Sequence, residues 1–266
     1  MPQEDSAIAE DPAQPADTPE PPLPKEGRID VHAHLIPDID DGSRSYDETV
    51  VLIQRLLKAG YTGSVCTPHI WPQLFPNNIP ARINDLVRGL RAHLASVGLD
   101  YSLWPGGELR LFDGVVEWMQ DYGVPTLGPS RAVLCDFWEH TWPGYVDDTF
   151  NWLLANNYHP VLAHPERIPM AQGLEPHLDR IREQGVLLQG NLRCLTGEES
   201  DLSRERARAY LTDGRYDLLA LDVHRADSLS GRIDGIAVAS EMIGADEADR
   251  LTCQAPRQLL SDQLGR

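Results

Sequence analysis

The chain has 266 residues, 41% apolar and 24% charged, with a formal charge of −18 at pH 7; this is an ordinary globular composition, long enough for one large core. That charge argues against nucleic-acid or anionic-membrane binding, which needs a basic face, and no run approaches the ~18 apolar residues of a membrane-inserted helix. Four scattered cysteines without a CxxC pair read as reduced thiols in a cytoplasmic protein.

Residues 1–27 hold seven acids against Lys25, many prolines and no periodic apolar face. They read as a disordered or extended acidic tail outside the fold, without the basic start and apolar stretch of a secretory signal. From 28 to 266, short apolar runs alternate with amphipathic stretches. "RIDVHAH" is a predicted strand, followed by a helix over 45–59 that Gly60 closes. "GSVCTPH" is the next strand, and a helix over 80–98 has Pro80 in its first turn. "YSLWPGGELR" precedes a helix over 114–122, and "AVLCDF" one over 146–156. "HPVLAHPER" precedes a helix over 174–184, and "VLLQGN" one over 202–212. "DLLALDVH" leads to a helix over 233–243 and a last segment over 246–260.

Seven strand-then-helix units imply parallel strands joined by crossover helices. The expected fold is therefore α/β, a single-domain distorted (β/α)7 barrel related to the TIM barrel. A doubly wound sheet is the alternative, but no Gly-rich phosphate loop follows the first strand.

Nearly every strand ends in a group able to bind a metal. The first ends in His32 and His34, which face one way because they are two apart, and then in Asp40 and Asp41. Later strands end in His69, Glu108, Asp136, His164, and finally Asp222 with His224. A barrel gathers such ends on one face. Several carboxylates buried together without counter-charge would be costly, so a multinuclear metal centre is expected there. Taken singly, each residue has a plain reading as a turn residue, a cap or a satisfied core histidine. His93, His140, His159 and His177 fall on helices or loops and read as non-functional.

The elements "IDVHAHLIPDIDDG", "TPH", "PGGELR", "LCDF", "YHPVLAHPER", "LTG" and "LDVH" resemble, in that order, the CpsB/CapC-type members of the PHP superfamily (polymerase and histidinol phosphatase). The resemblance implies a PHP-type barrel and a manganese-dependent protein-tyrosine phosphatase linked to capsule and exopolysaccharide synthesis, with Fe or Zn as other fits to mixed imidazole and carboxylate donors. It implies three divalent metal ions. His32, His34, Glu108 and Asp222 would hold the first; Glu108, His164 and Asp136 the second; His69, His224 and one of Asp40 or Asp41, in preference Asp41, the third. Arg167, with Arg110 and Arg232, would face the phosphate. Position 136 is Asp where the family usually has Glu, one methylene shorter.

Three such cations outweigh four carboxylates, which suits a phosphate dianion, and in-line attack by a metal-bridging hydroxide follows. The implied substrate is phosphotyrosine of a bacterial tyrosine kinase. The alternatives are a small phosphomonoester, such as histidinol phosphate or a nucleotide, and a non-catalytic metal-bound scaffold. A metal-dependent amidohydrolase bridged by a carboxylated lysine does not fit, because the chain has only Lys25 and Lys58. The aromatic-rich stretches 70–80 and 138–145 would suit a phosphotyrosine ring at the barrel mouth, or simple packing over it.

Overall fold

The computed structural model describes residues 20–170 and 172–263. Its strands are β1 (Arg28–Ala33), β2 (Tyr61–Cys66), β3 (His69–Ile70), β4 (Ser102–Pro105), β5 (Glu108–Arg110), β6 (Ala132–Asp136), β7 (His159–Ala163), β8 (Leu187–Asn191) and β9 (Leu218–Ala220). All pairings between them are parallel, in two sheets of order β1-β2-β4 and β3-β5-β6-β7-β8-β9.

Two of the seven expected strands are broken. Thr67 and Pro68 separate β2 from β3, and a proline has no N–H for the ladder. Gly106 and Gly107 separate β4 from β5. A Cβ on Gly107 would lie 2.3 Å from Ile70 Cδ1, and one on Gly106 would lie 2.7 Å from Val65 Cγ1, so only glycine lets these segments pass so closely. A parallel bridge from Ala33 to Val223 joins the first strand to the segment after β9, and His34 N–H donates to Val223 O at 2.9 Å. Seven strand positions thus close into the barrel that the βα alternation implied.

The helices are α1 (Tyr46–Lys58), α2 (Pro80–Ser96), α3 (Val115–Tyr122), α4 (Gly144–Ala155), α5 (Leu174–Gln184), α6 (Leu192–Thr196), α7 (Asp201–Thr212), α8 (Leu229–Ile243), α9 (Ala245–Asp249) and α10 (Ala255–Leu260). In α1 the Ser45 side chain accepts from Glu48 N–H at 3.2 Å, a standard N-cap. Leu52, Ile53 and Leu56 recur at helical spacing and are fully buried, each such side chain contributing about 1.5–3 kcal/mol by leaving water. Helix α6 has no counterpart in the apolar periodicity, since it follows β8 directly and is a single short turn. "HPVLAHPER" is shorter as a strand than expected. It stops at Ala163, and Pro165–Arg167 form a 3-10 turn because Pro165 cannot extend the ladder.

Ile29 and Val31 of β1 belong to the same apolar cluster as Val65, Leu134, Val161 and Ala163. A register shift between Asp30 and Ala33 lets the next residues, His32 and His34, turn inward as well, which is what a bulge does. Residues 20–27 of the expected tail have no regular secondary structure and are held against the barrel by hydrogen bonds. Trp104 Nε1 donates to Pro21 O at 2.9 Å, Thr62 Oγ1 to Glu26 O at 2.8 Å, and Arg257 Nε to Gly27 O at 3.1 Å. Leu23 packs against the Trp104 cluster. The remainder of that tail lies outside the described residues.

Candidate metal centre

The parallel register carries the side chains to one end of the barrel. His69 of β3 pairs with Glu108 of β5, and Arg110 pairs with Asp136 of β6. His34 and His164 follow β1 and β7 immediately, and Asp222 is the second residue past β9. Among these, His164 (φ 33°) and Asp222 (φ 50°) adopt left-handed backbone, which costs a residue with a Cβ about 1–3 kcal/mol. The surrounding bonds hold that strain. His164 N–H donates to Gln189 O at 2.7 Å, and the fully buried Arg232 donates to Leu221 O and Asp222 O at 2.8 and 3.1 Å.

Three histidines are braced in the same way. His32 Nδ1 lies 2.8 Å from Gln189 Oε1, His34 Nδ1 2.8 Å from Asp40 Oδ2, and His224 Nδ1 3.0 Å from Asp222 O. With Nδ1–H donating to each oxygen, every Nε2 lone pair is left for the cluster, the arrangement found at metal-ligating imidazoles. The Nε2 atoms of His32 and His34 are 3.4 Å apart, and each lies 3.4 Å from Glu108 Oε2. Asp222 Oδ1 is 3.4 Å from one and 3.5 Å from the other. His164 Nε2 meets Glu108 Oε1 at 2.8 Å, and His69 Nδ1 meets Glu108 Oε2 at 2.8 Å. Asp41 Oδ1 stands 3.3 Å from Nε2 of both His69 and His224.

Three sets of donor atoms, each mutually within 4.8 Å, emerge among the described residues: His32, His34 and Asp222; His32, Glu108 and His164; His34, Asp41, His69 and His224. The donors fit divalent cations on a further observation. Asp136 Oδ1 and His164 Nδ1 are buried without a hydrogen-bond partner, which is costly unless a further group satisfies them there.

The two adjacent aspartates have different surroundings. Asp40 accepts from His34 Nδ1, from Gly42 N–H at 2.9 Å and from His69 N–H at 3.0 Å, so its oxygens are used in orienting the loop and the imidazole. Asp41 points at the two histidines of the third set. Asp136 stands outside all three sets: Oδ1 is 3.8 Å from His164 Nδ1, and Oδ2 accepts from Arg110 Nη1 at 3.2 Å. Arg167 donates to Asp222 Oδ2 at 3.1 Å. Arg232 departs from its expected place at the phosphate. Its Nε serves the two carbonyls named above and its Nη1 the Ser228 carbonyl at 2.7 Å, so it shapes the Asp222 turn from behind.

Electrostatics agree with a cation-seeking centre. Burial alone would raise the Glu108 and Asp222 carboxyls, yet neighbouring imidazoles, His69 and His32 for the first, His32 and His224 for the second, hold both well below their usual range. Hydrogen bonds from His224 and His69 hold Asp41 down. Burial opposes charge on His69, but Glu108 and Asp41 outweigh it and lift the imidazole to about 10. His34 is likewise lifted against burial, chiefly by Asp40.

Residues that pattern reading had not marked sit on β8. Gln189 and Asn191 are buried, two apart on one strand face, and Asn191 Nδ2 donates to Asp222 Oδ2 at 2.7 Å. Gln189 Nε2 joins the pair by donating to Asn191 Oδ1 at 2.9 Å. Behind them Glu166 accepts from Asn191 N–H and from Tyr216 OH, both at 2.8 Å. The signal was present in "LLQGN", where two amides alternate inside an apolar strand as the histidines do in "VHAH". His93, His140 and His177 contact Tyr46, Pro169 O and Trp142 instead, and His159, expected on a helix or loop, is the first residue of β7.

A family model described as capsular polysaccharide synthesis, CpsB/CapC, matches residues 28–261. The chain belongs to the CpsB/CapC family. Within that family it is 26% identical over 242 residues to the tyrosine-protein phosphatase CpsB of Streptococcus pneumoniae, covering 89% of this chain and 99% of the relative. A putative tyrosine-protein phosphatase CapC of Staphylococcus aureus is 27% identical over 202 residues, 74% of this chain and 76% of the relative. The barrel superposes with a TM-score of 0.81 at 23% identity on a structure from work on YwqE of Bacillus subtilis and CpsB of Streptococcus pneumoniae, described as metal-dependent tyrosine phosphatases; the match covers 90% of this chain and 96% of that one. As a CpsB/CapC-family chain it has, among the described residues, no helix long and apolar enough to cross a membrane.

Proposed function

We propose that this chain is a divalent-metal-dependent phosphomonoester hydrolase acting on phosphotyrosine in a protein, such as a bacterial tyrosine kinase of polysaccharide synthesis, in the cytoplasm. One observation carries the reading: imidazoles and carboxylates from β1, β3, β5, β7 and the segment after β9 converge at one barrel end beneath two guanidinium groups. His32, His34, Glu108 and Asp222 would hold one ion, Glu108 and His164 a second, completed by Asp136 as the family resemblance implies, and Asp41, His69 and His224 a third; the proximity of the donor atoms supports the first and third sets. Mixed nitrogen and oxygen donors suit manganese, which is also the metal the family resemblance implies. When bound, such ions supply Lewis acidity toward phosphoryl oxygens and lower the pKa of coordinated water.

The protein's own groups do the rest. Arg110 and Arg167 overhang the centre and can each give paired, charge-assisted hydrogen bonds to a phosphoryl oxygen. A cysteine nucleophile has no support. Cys66, Cys135 and Cys194 are buried, none lines the cleft, and burial pushes the Cys66 thiol up to about 12. Water is then the attacking group, and the phenolate of tyrosine, with a pKa of ~10, departs with little need for an acid.

The test is phosphate release from a phosphotyrosine peptide by manganese-loaded protein, with and without chelator. Turnover should vanish with chelator, and Glu108→Gln should lose more than the roughly 10–100-fold typical of outer-shell changes. Chelator-insensitive turnover would sink the proposal.

A further inference from the structure

A cleft of about 340 Å³ opens above the carboxylate and imidazole floor, and its two walls are built alike. Trp71 follows β3 and Trp138 follows β6. They are 36% and 45% exposed, in a molecule whose other large apolar side chains are mostly buried. Each indole carries a guanidinium: Arg110 Cζ lies 5.1 Å from the Trp71 ring centre, and Arg167 Cζ lies 5.5 Å from that of Trp138. Each arginine is tied in turn to a carboxylate of the floor, Arg110 to Asp136 at 3.2 Å and Arg167 to Asp222 at 3.1 Å. Position at the floor and position at the rim are therefore mechanically linked on both sides.

We propose that Trp71 and Trp138 are the specificity-determining residues of this cleft and make it a slot for aryl phosphomonoesters in preference to alkyl ones. The inference rests on the phosphatase reading above. Leaving two indoles facing water at one cleft forgoes their burial, and aromatic side chains recover that energy when another ring packs against them. An aryl phosphate presents a ring joined directly to a dianion, and each wall presents an indole joined to a cation. Depth adds a second reason. The donor atoms of the floor are buried below the tryptophans, and in phosphoserine only one methylene separates the phosphate oxygen from the backbone. In phosphotyrosine the whole ring spans that distance.

The experiment compares kcat/KM for two peptides of one sequence, bearing phosphotyrosine or phosphoserine, with manganese-loaded wild type, Trp71→Ala, Trp138→Ala and the corresponding Phe variants. Each Ala change should lower the phosphotyrosine-to-phosphoserine ratio by roughly 3–10-fold, the size of one aromatic pair contact, and each Phe should restore most of it. Binding of phenylphosphonate against methylphosphonate, followed by indole fluorescence or calorimetry, should show the same loss of preference without turnover. An unchanged ratio in both Ala variants would overturn the inference and leave the phosphatase reading intact. Absence of chelator-sensitive phosphate release from either peptide by the wild type would overturn that reading, and the inference with it.

Discussion

Gln189 has no charge and no place in a ligand motif, yet its carbonyl oxygen fixes which nitrogen of His32 faces the metal centre. Gln189→Leu removes that acceptor at nearly constant volume. The expected outcome is a folded protein whose metal affinity is roughly 10–100-fold weaker, read by competition with a chromophoric chelator. Protons and metal ions compete for the same imidazoles. In metal-free protein His69 titrates near 10, above its ordinary 6.5. A histidine raised in the folded state contributes stability that is complete below its unfolded value and is lost as pH rises through the folded one. Chelated protein should therefore show a falling unfolding midpoint between about pH 6.5 and pH 10, while metal-loaded protein, with these nitrogens committed to cations, should not. Loading near pH 8 should release protons, measurable in a weakly buffered indicator solution.

At the scale of elements, the loop from His34 to Ser43 shows why a glycine follows the two aspartates. A Cβ on Gly42 would lie 2.3 Å from His34 O and 2.5 Å from His34 Cβ, so Gly42→Ala must push the loop off β1. Overpacking of this kind costs about 1–3 kcal/mol, and the shift carries Asp40 and Asp41 with it. The expected result is lower denaturant resistance together with loss of one bound ion, counted by elemental analysis. Gly144, at the first position of α4, meets nothing within 4 Å, and Gly144→Ala should be neutral or stabilising by about 0.4–1 kcal/mol. The two interrupted strands belong to this scale as well. Pro68 and the Gly106-Gly107 pair were visible in the sequence, but their consequence was not, because whether a strand breaks depends on what packs across it.

For the molecule as a whole, the site end and the opposite end are separable. Pro21, Leu23 and Glu26 are bound to Trp104, to the cluster around it and to Thr62, none of which belongs to the clustered imidazoles and carboxylates. Removing residues 1–27 should lower the midpoint of thermal unfolding by about 2–8 °C, the shift that a loss of ~1–2 kcal/mol causes in a domain of this size. Metal content and kcat of the loaded protein should stay as they were. A parallel loss of bound metal would mean that the two ends are coupled.

The sequence by itself determined the barrel and the set of metal-capable side chains at its strand ends. Alternation of period-two and period-3.6 patterns is a local property, and a histidine or acid at the end of an apolar run needs no distant partner to be noticed. It also separated the five strand-end histidines from the other four. Only the tertiary structure decided which of Asp40 and Asp41 points at His69 and His224, that Arg232 props a left-handed turn, and that Gln189 and Asn191 hydrogen-bond His32 and Asp222. Those outcomes depend on contacts across the fold, such as Gln189 with His32 and Asp41 with His224, which no local pattern encodes. A side chain's chemistry is written in its type, but its task is set by the neighbour that burial forces upon it.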